Sequence, residues 1–317
     1  MRIAVVGAGA VGCLLAARLA AAGHEVHVVA RPAAVPVLRE RGVTVEGLGA
    51  GQWNVSVGEA LPTGTAPETA LVTVKTFDLA GAAGALARDV PRPVPTLLPQ
   101  NGLGVEAIAS AAMRAAGWPD PDRFLVRAVS TIPSTLVAPG VVRQPGEGEL
   151  ILATPGSDAP AAAAIHAMRE LLSGAGLPVR SVPDLARELW RKALVNAAIN
   201  PVTALHGVPN GRLLDDPYRT EATVLLREAQ RAAASAGFEF DDREADRSLE
   251  QVVRATGGNR SSMLQDVARG RPTEIDAISG EIARVAAEHG IDLPATRLVV
   301  EKIAALRPGG ADRAQPS

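Results

Sequence analysis

A single cysteine, Cys13, in 317 residues excludes an internal disulfide framework and any cysteine metal cluster. Aromatic residues make up only 3%, so the core must be aliphatic, and base-stacking platforms of the kind used by single-strand RNA readers are excluded. Neither sign of charge dominates: 32 basic side chains face 34 acidic ones, for a net −2, and nothing points to a polyanion partner. The five histidines are scattered, with none in a zinc-ligand spacing beside a carboxylate, so no metal is expected. No apolar run reaches 18 residues. The longest candidate, Ile3 to Ala17 behind Arg2, has the outline of a short signal peptide, but Arg18 interrupts it and Gly7, Gly9 and Gly12 argue for a different origin. A soluble cytoplasmic protein with no membrane or nucleic-acid partner is expected.

What is present is ordinary globular composition, 47% hydrophobic and 21% charged, on a length that suggests about two domains. The first half alternates. Residues 2–6 read as a buried strand, 10–22 as a helix and 25–30 as a second strand, followed by a helix at 33–41. Short strands are expected at 43–46 and 53–57, and apolar strands at 70–75 and 95–99, each of these last two followed by a helix. Strands alternating with helices imply a parallel sheet covered on both faces. Three more strand-like runs in 124–154 read as an antiparallel extension of that sheet. After residue 183 the pattern is helical only: 184–205, 217–236, 242–256, 261–269, 274–289 and 294–306. The expected division is therefore an α/β domain over 1–183 and an all-α domain over 184–307. Residues 308–317, rich in Pro, Gly and polar residues, read as a disordered tail.

Gly7-Ala8-Gly9-Ala10-Val11-Gly12 is a G-x-G-x-x-G placed directly between a strand and a helix, the context that makes it a dinucleotide fingerprint. Gly7 permits the tight turn, Gly9 lets a pyrophosphate approach the backbone, and Gly12 lets helix and strand pack closely. An NAD-binding chain usually carries an acid at the end of the second strand. Here Ala30-Arg31 stands there, and Arg31 can fork onto a 2′-phosphate with no neighbouring carboxylate to repel it, which predicts NADP(H). Lys75 and Asn101 follow two apolar strands, at the end of the sheet that faces the ligand crevice. The plainer readings are a solvated lysine and a turn at Asn101-Gly102. Lys192, Asn196 and Asn200, spaced by four, form a narrow polar stripe on an otherwise apolar helix, with Pro201 expected to end it. Buried amides and an ammonium are costly without partners, so the stripe suggests a ligand rather than a solvent face. Asn210-Gly211 is open between turn and ligand contact. Ser262 is open between helix cap and ligand contact, and Glu274, in a capping-box-like Thr273-Glu274-Ile275-Asp276, between helix start and functional group.

Together GAGAVG, VTVK, QNG, LWRKALVNAAINPVTALHGVPNG and NRSSMLQDVARGRPTEID, spread over residues 7–276, resemble the ketopantoate reductase (2-dehydropantoate 2-reductase) family. The resemblance implies an α/β Rossmann-type N-terminal domain plus an all-α C-terminal domain of the 6-phosphogluconate dehydrogenase C-terminal-like kind. It implies NADPH-dependent reduction of 2-dehydropantoate to (R)-pantoate on the route to pantothenate and coenzyme A. Carried over by position, Lys192 is the proton donor, and Glu274 lies beside it and the nicotinamide ribose. Asn196, Asn200 and Asn210 hold the substrate and Ser262 its carboxylate. Lys75 and Asn101 line the cofactor site, Asn101 also touching substrate, and Arg31 takes the 2′-phosphate. The implied partner is a small 2-keto acid, on a monomer or homodimer. Competing readings are a reductase of another 2-keto acid, a β-hydroxyacid dehydrogenase or imine reductase, and a non-catalytic NADP-sensing protein; the last would be expected to lose Lys192 or Glu274.

Overall fold

A computed structural model describes residues 1–62, 64, 66–156 and 161–306; the expected tail at 308–317 lies outside them. The chain divides into two compact units, Met1–Gln100 with Gly104–Leu185, and Asn101–Leu103 with Ala186–Ser317.

The first unit begins β1 (Arg2–Val6), α1 (Ala10–Ala21), β2 (Glu25–Val29), α2 (Val35–Arg41), β3 (Val43–Gly47), β4 (Gly51–Trp53), β5 (Ser56–Gly58) and β6 (Thr69–Val72). It continues α3 (Leu79–Asp89), β7 (Thr96–Leu98), α4 (Val105–Ala115), β8 (Leu125–Ser130), β9 (Thr135–Ala138), β10 (Val141–Gln144), β11 (Leu150–Ala153), α5 (Ala162–Gly174) and β12 (Val179–Val182). Its main sheet has the order β12-β11-β8-β7-β6-β1-β2-β5. From β5 to β8 all neighbours are parallel. Taken in chain order within this sheet, β5-β2-β1-β6-β7-β8 runs 3-2-1-4-5-6, the doubly wound order whose direction switches between β1 and β6. The central strands β1, β6 and β7 are nearly continuous apolar runs because both faces are covered. Val5, Leu71 and Leu97 pack with α1 and α5, while Ala4, Val72 and Leu98 pack with α3 and α4.

The region 124–154 departs from the expected extension. β8 and β11 do pair antiparallel in the main sheet, and β12, unmarked in the sequence reading, joins β11 in parallel. β9 and β10 instead join β3 and β4 in a separate four-stranded sheet, ordered β4-β3-β10-β9. Local alternation shows that a strand forms but not which distant strand it pairs with. The run expected at 53–57 is likewise split, with Trp53 ending β4 and Ser56 opening β5 in the other sheet.

The second unit carries α6 (Leu185–His206), α7 (Tyr218–Ser235), α8 (Asp242–Ala255), α9 (Ser262–Ala268), α10 (Glu281–Glu288) and α11 (Pro294–Ala304). Its core is alanine-rich and aliphatic, from Trp190 and Leu194 on α6 through Leu225, Leu226 and Ala229 on α7 to Ile282 on α10. Buried Glu228 accepts hydrogen bonds from the Ala295 and Thr296 backbone N–H groups, capping α11 from another helix. No helix among the described residues is long and apolar enough to cross a membrane.

Arg187 and Arg191 fasten α6 to α8 by hydrogen bonds of 2.8 and 3.0 Å to Glu244, and the Arg187 guanidinium lies 4.4 Å from the Phe240 ring centroid. Burial alone would raise the Glu244 carboxyl, but the hydrogen bonds from Arg191 and Arg187 outweigh it and hold the group below the usual carboxylate range. A carboxyl lowered on folding contributes stability that is full at neutral pH and is lost as the pH falls through its lowered value. Glu244→Gln should therefore cost about 1–2 kcal/mol near neutral pH. Thermal unfolding followed from pH 8 to pH 3 should show the difference from wild type shrinking on acidification. A difference independent of pH would show that the charge is not its source.

Candidate active site

The glycine turn sits at the switch point of the main sheet. The Gly7 N–H donates to the Val29 carbonyl at 2.9 Å, tying the end of β1 to the end of β2. The Thr73 hydroxyl, just beyond β6, donates to the Gly7 carbonyl at 2.8 Å. Gly7 has φ +116°, and a Cβ there would lie 2.8 Å from the Val74 nitrogen. A Cβ on Gly12 would lie 1.9 Å from the Gly7 carbonyl oxygen, so close packing of α1 on its own entry turn excludes any side chain. Gly9 is different: a Cβ there would meet nothing within 4 Å. Packing does not demand glycine at Gly9, which leaves the backbone there open to close approach by a ligand. The N-terminus of α1 carries no side-chain cap and no acid in its first turn, leaving its N–H groups and positive dipole end for an anion. The Gly7–Gly12 turn, with Ala8, Ala10 and Val11 as its small apolar members, thus fits a dinucleotide pyrophosphate.

Lys75 follows two residues after Thr73, at the start of a short 3-10 turn, Thr76–Asp78. Arg31 stands just past β2, and here the sequence expectation needs correction. A carboxylate does face it: Arg31 donates to Asp78 Oδ2 at 2.7 Å. The acid comes from a different connection of the sheet, 47 residues on, and so was invisible in the local sequence. Cys13 is inert by contrast, because burial pushes its thiol up to about 12 despite a backbone hydrogen bond at Gly140.

In the second unit α6 carries the stripe. Lys192 and Asn196 are half-buried, whereas Asn200 is 5% exposed. Neither asparagine side chain makes a hydrogen bond within the described residues. Glu188, four residues before Lys192, accepts from Arg191 at 2.6 Å. Pro201 does not end the helix as expected; α6 runs on to His206 with Pro201 inside it. Proline removes one backbone donor. The Thr203 hydroxyl donates to the Ile199 and Asn200 carbonyls at 2.8 and 3.1 Å, and apolar burial of this stretch against the helical core holds the turn.

Thr203 also shares a 2.7 Å hydrogen bond with the Ser261 hydroxyl, which ties the first turn of α9 to α6 beside Asn200. Ser261 is the cap of α9, accepting from the Leu264 N–H. Ser262, the first helical residue, is exposed, so capping does not explain it. Asn210 is 6% exposed; its amide nitrogen donates to Thr256 Oγ1 at 2.9 Å, and its backbone N–H donates to the Asn259 carbonyl. Its amide oxygen is buried with no partner among the described residues.

Asn101 belongs to the helical unit, although it follows a strand of the sheet. Its amide donates to Glu274 Oε2 at 3.3 Å, and Glu274 is 6% exposed. Gly102, at φ +93°, leaves no room for a Cβ, which would lie 2.3 Å from the Ala277 carbonyl. The helix expected from 274 begins instead at Ile275 and passes at once into a widened π turn, Asp276–Gly280. Such turns occur often at functional sites. The structure thus joins Asn101 to Glu274, Ser262's turn to the α6 stripe, and Arg31 to Asp78. Thr73 and Asp78 were missed in the sequence; a Thr inside VTVK was the only trace of the first.

The sheet order and glycine turn, joined in one chain to an all-helical unit bearing a lysine and amide stripe, define the class of two-domain oxidoreductases that use a nicotinamide cofactor on small-molecule substrates. Residues 3–156 match the family profile "Ketopantoate reductase PanE/ApbA", and residues 184–307 match its C-terminal counterpart. The 2-dehydropantoate 2-reductase of Archaeoglobus fulgidus is 33% identical over 312 residues, covering 97% of this chain and 98% of that one. The solved PanE/ApbA family ketopantoate reductase of Ralstonia eutropha JMP134 superposes with a TM-score of 0.82 at 28% identity, covering 96% of this chain and 98% of that one. A D-mandelate dehydrogenase solved with NADH and anilino(oxo)acetate shares the fold, with a TM-score of 0.87 at 23% identity over 96% of this chain and 98% of that one. The chain belongs to the ketopantoate reductase family.

Proposed function

We propose that this protein reduces 2-dehydropantoate to (R)-pantoate with NADPH. The observation that carries the reading is the stripe of Lys192, Asn196 and Asn200 on the central helix of a ketopantoate reductase family member, with both amides unbonded within the described residues. The glycine turn would hold the cofactor's pyrophosphate, Lys75 and Asn101 its neighbouring parts, and Arg31 a 2′-phosphate. When bound, the reduced nicotinamide supplies a hydride to the substrate's C2 carbonyl carbon.

The chain's own residues do the rest. The Lys192 ammonium meets the ketone oxygen, stabilises charge as it develops there and donates the proton that completes the alcohol. Glu274, held by the Asn101 amide, would place its carboxylate beside the nicotinamide ribose and the lysine. Ser262 donates to the substrate carboxylate, and the three asparagines receive its polar far end. The test is NADPH oxidation by the purified protein over a panel of 2-keto acids. The highest kcat/KM is expected for 2-dehydropantoate. Faster turnover of an unbranched or aryl 2-keto acid would replace the substrate, and no oxidation with any of them would overturn the reaction.

A further inference from the structure

We propose that Asp78 is a specificity-determining residue that narrows the preference between NADPH and NADH by competing for Arg31. This rests on the reading that Arg31 meets the 2′-phosphate.

A ribose-binding acid is absent from the end of β2, yet the fold supplies one in space. Asp78 ends the 3-10 turn after β6 and occupies the N-cap position of α3. An aspartate there ordinarily accepts from the first backbone N–H groups of its helix. Asp78 makes no such cap bond, and its Oδ2 instead accepts from Arg31 at 2.7 Å. The side chains are 79% and 42% exposed for Arg31 and Asp78, so both can be reached by a ligand. The opposing effects follow from chemistry. A 2′-phosphate must draw the guanidinium away from Asp78, or share it, while facing the carboxylate's own negative charge. A 2′-hydroxyl meets no repulsion and can donate to Asp78, as it would to an acid on the second strand. Arg31 alone would give a wide preference for the phosphorylated cofactor, and Arg31 with Asp78 a narrower one.

The experiment measures Kd for NADPH and for NADH by nicotinamide fluorescence, without substrate, on the full chain and its Asp78→Asn and Arg31→Ala variants. Asparagine keeps the shape and removes the charge, and because Asp78 caps nothing, α3 should be undisturbed; thermal unfolding checks this. Asp78→Asn should tighten NADPH about three- to tenfold at low ionic strength, leave NADH unchanged or weaker, and lose most of the effect at high salt. A bystander carboxylate would not give a salt-dependent change confined to the phosphorylated cofactor. An unchanged NADPH-to-NADH ratio in Asp78→Asn, with Arg31→Ala still weakening NADPH, overturns this proposal alone. No weakening of NADPH by Arg31→Ala overturns the reading beneath it as well.

Discussion

Replacing Lys192 with alanine should lower kcat by about 10²–10⁴-fold while leaving the Kd for NADPH near wild type. The asymmetry follows from where the interaction acts. In the ground state the ketone oxygen carries only partial negative charge. It approaches a full charge as reduction proceeds, so a bond to the ammonium strengthens mainly in the transition state, and its loss appears in kcat rather than in binding. The cofactor's pyrophosphate is assigned to the turn at Gly7–Gly12 and not to Lys192, so its binding should not sense the change. Folding should survive, because Lys192 is only half-buried and alanine is the strongest helix former for an interior position of α6. The measurement is single-turnover reduction with the cofactor titrated separately by fluorescence. A variant retaining more than about a tenth of wild-type kcat, with chemistry rate-limiting, would assign the acid elsewhere.

How much of this was legible depends on the range over which each feature is encoded. The glycine turn was legible in full, because strand, turn and helix are contiguous and Gly7 and Gly12 answer to contacts within a few residues or with the next strand. Helix existence was legible from period alone, and α7 and α8 begin and end within a residue of their expected bounds. Features that depend on distant pairing were not. β3 and β10 form a parallel pair across most of the unit, and nothing local in either separates that partnership from membership of the main sheet.

The site shows the same split. The Lys192–Asn196–Asn200 stripe was visible because one helix carries all of it. The pairing of Asn101 with Glu274 was not, since 173 residues separate them, nor was the pairing of Arg31 with Asp78. Two local rules also misled. Proline usually stops a helix, yet α6 runs on through Pro201, with Ala197, Ala198, Ile199 and Val202 around it buried in the helical core. A Ser-Ser pair before a helix has two registers for its cap, and only the structure shows that Ser261 takes it.

Removing one hydroxyl from the substrate should reduce kcat/KM far more than its size suggests. 2-Keto-3,3-dimethylbutyrate matches 2-dehydropantoate in its carboxylate, ketone and gem-dimethyl carbon and lacks only the C4 hydroxyl. The groups assigned to that end of the substrate are amides that the fold leaves short of partners. Asn196 and Asn200 make no side-chain hydrogen bond within the described residues, and the Asn210 oxygen is buried with none. A plain keto acid would use Lys192 and Ser262 but offer nothing to the Asn196 and Asn200 amides or to the Asn210 oxygen. One buried polar group stranded in this way costs about 1–3 kcal/mol, and a site built around a substrate hydroxyl can reject the analogue lacking it by about 10⁴–10⁵-fold. At least about 10³-fold is expected here, because water can still reach Asn196, which is only half-buried, and repair part of the loss. Asn200→Ala should narrow the gap, lowering kcat/KM for 2-dehydropantoate with little change for the analogue. If the two substrates react with comparable kcat/KM in the unmodified protein, the asparagines do not read the hydroxyl. The stripe would then belong to a different 2-keto acid, with Lys192 keeping its role.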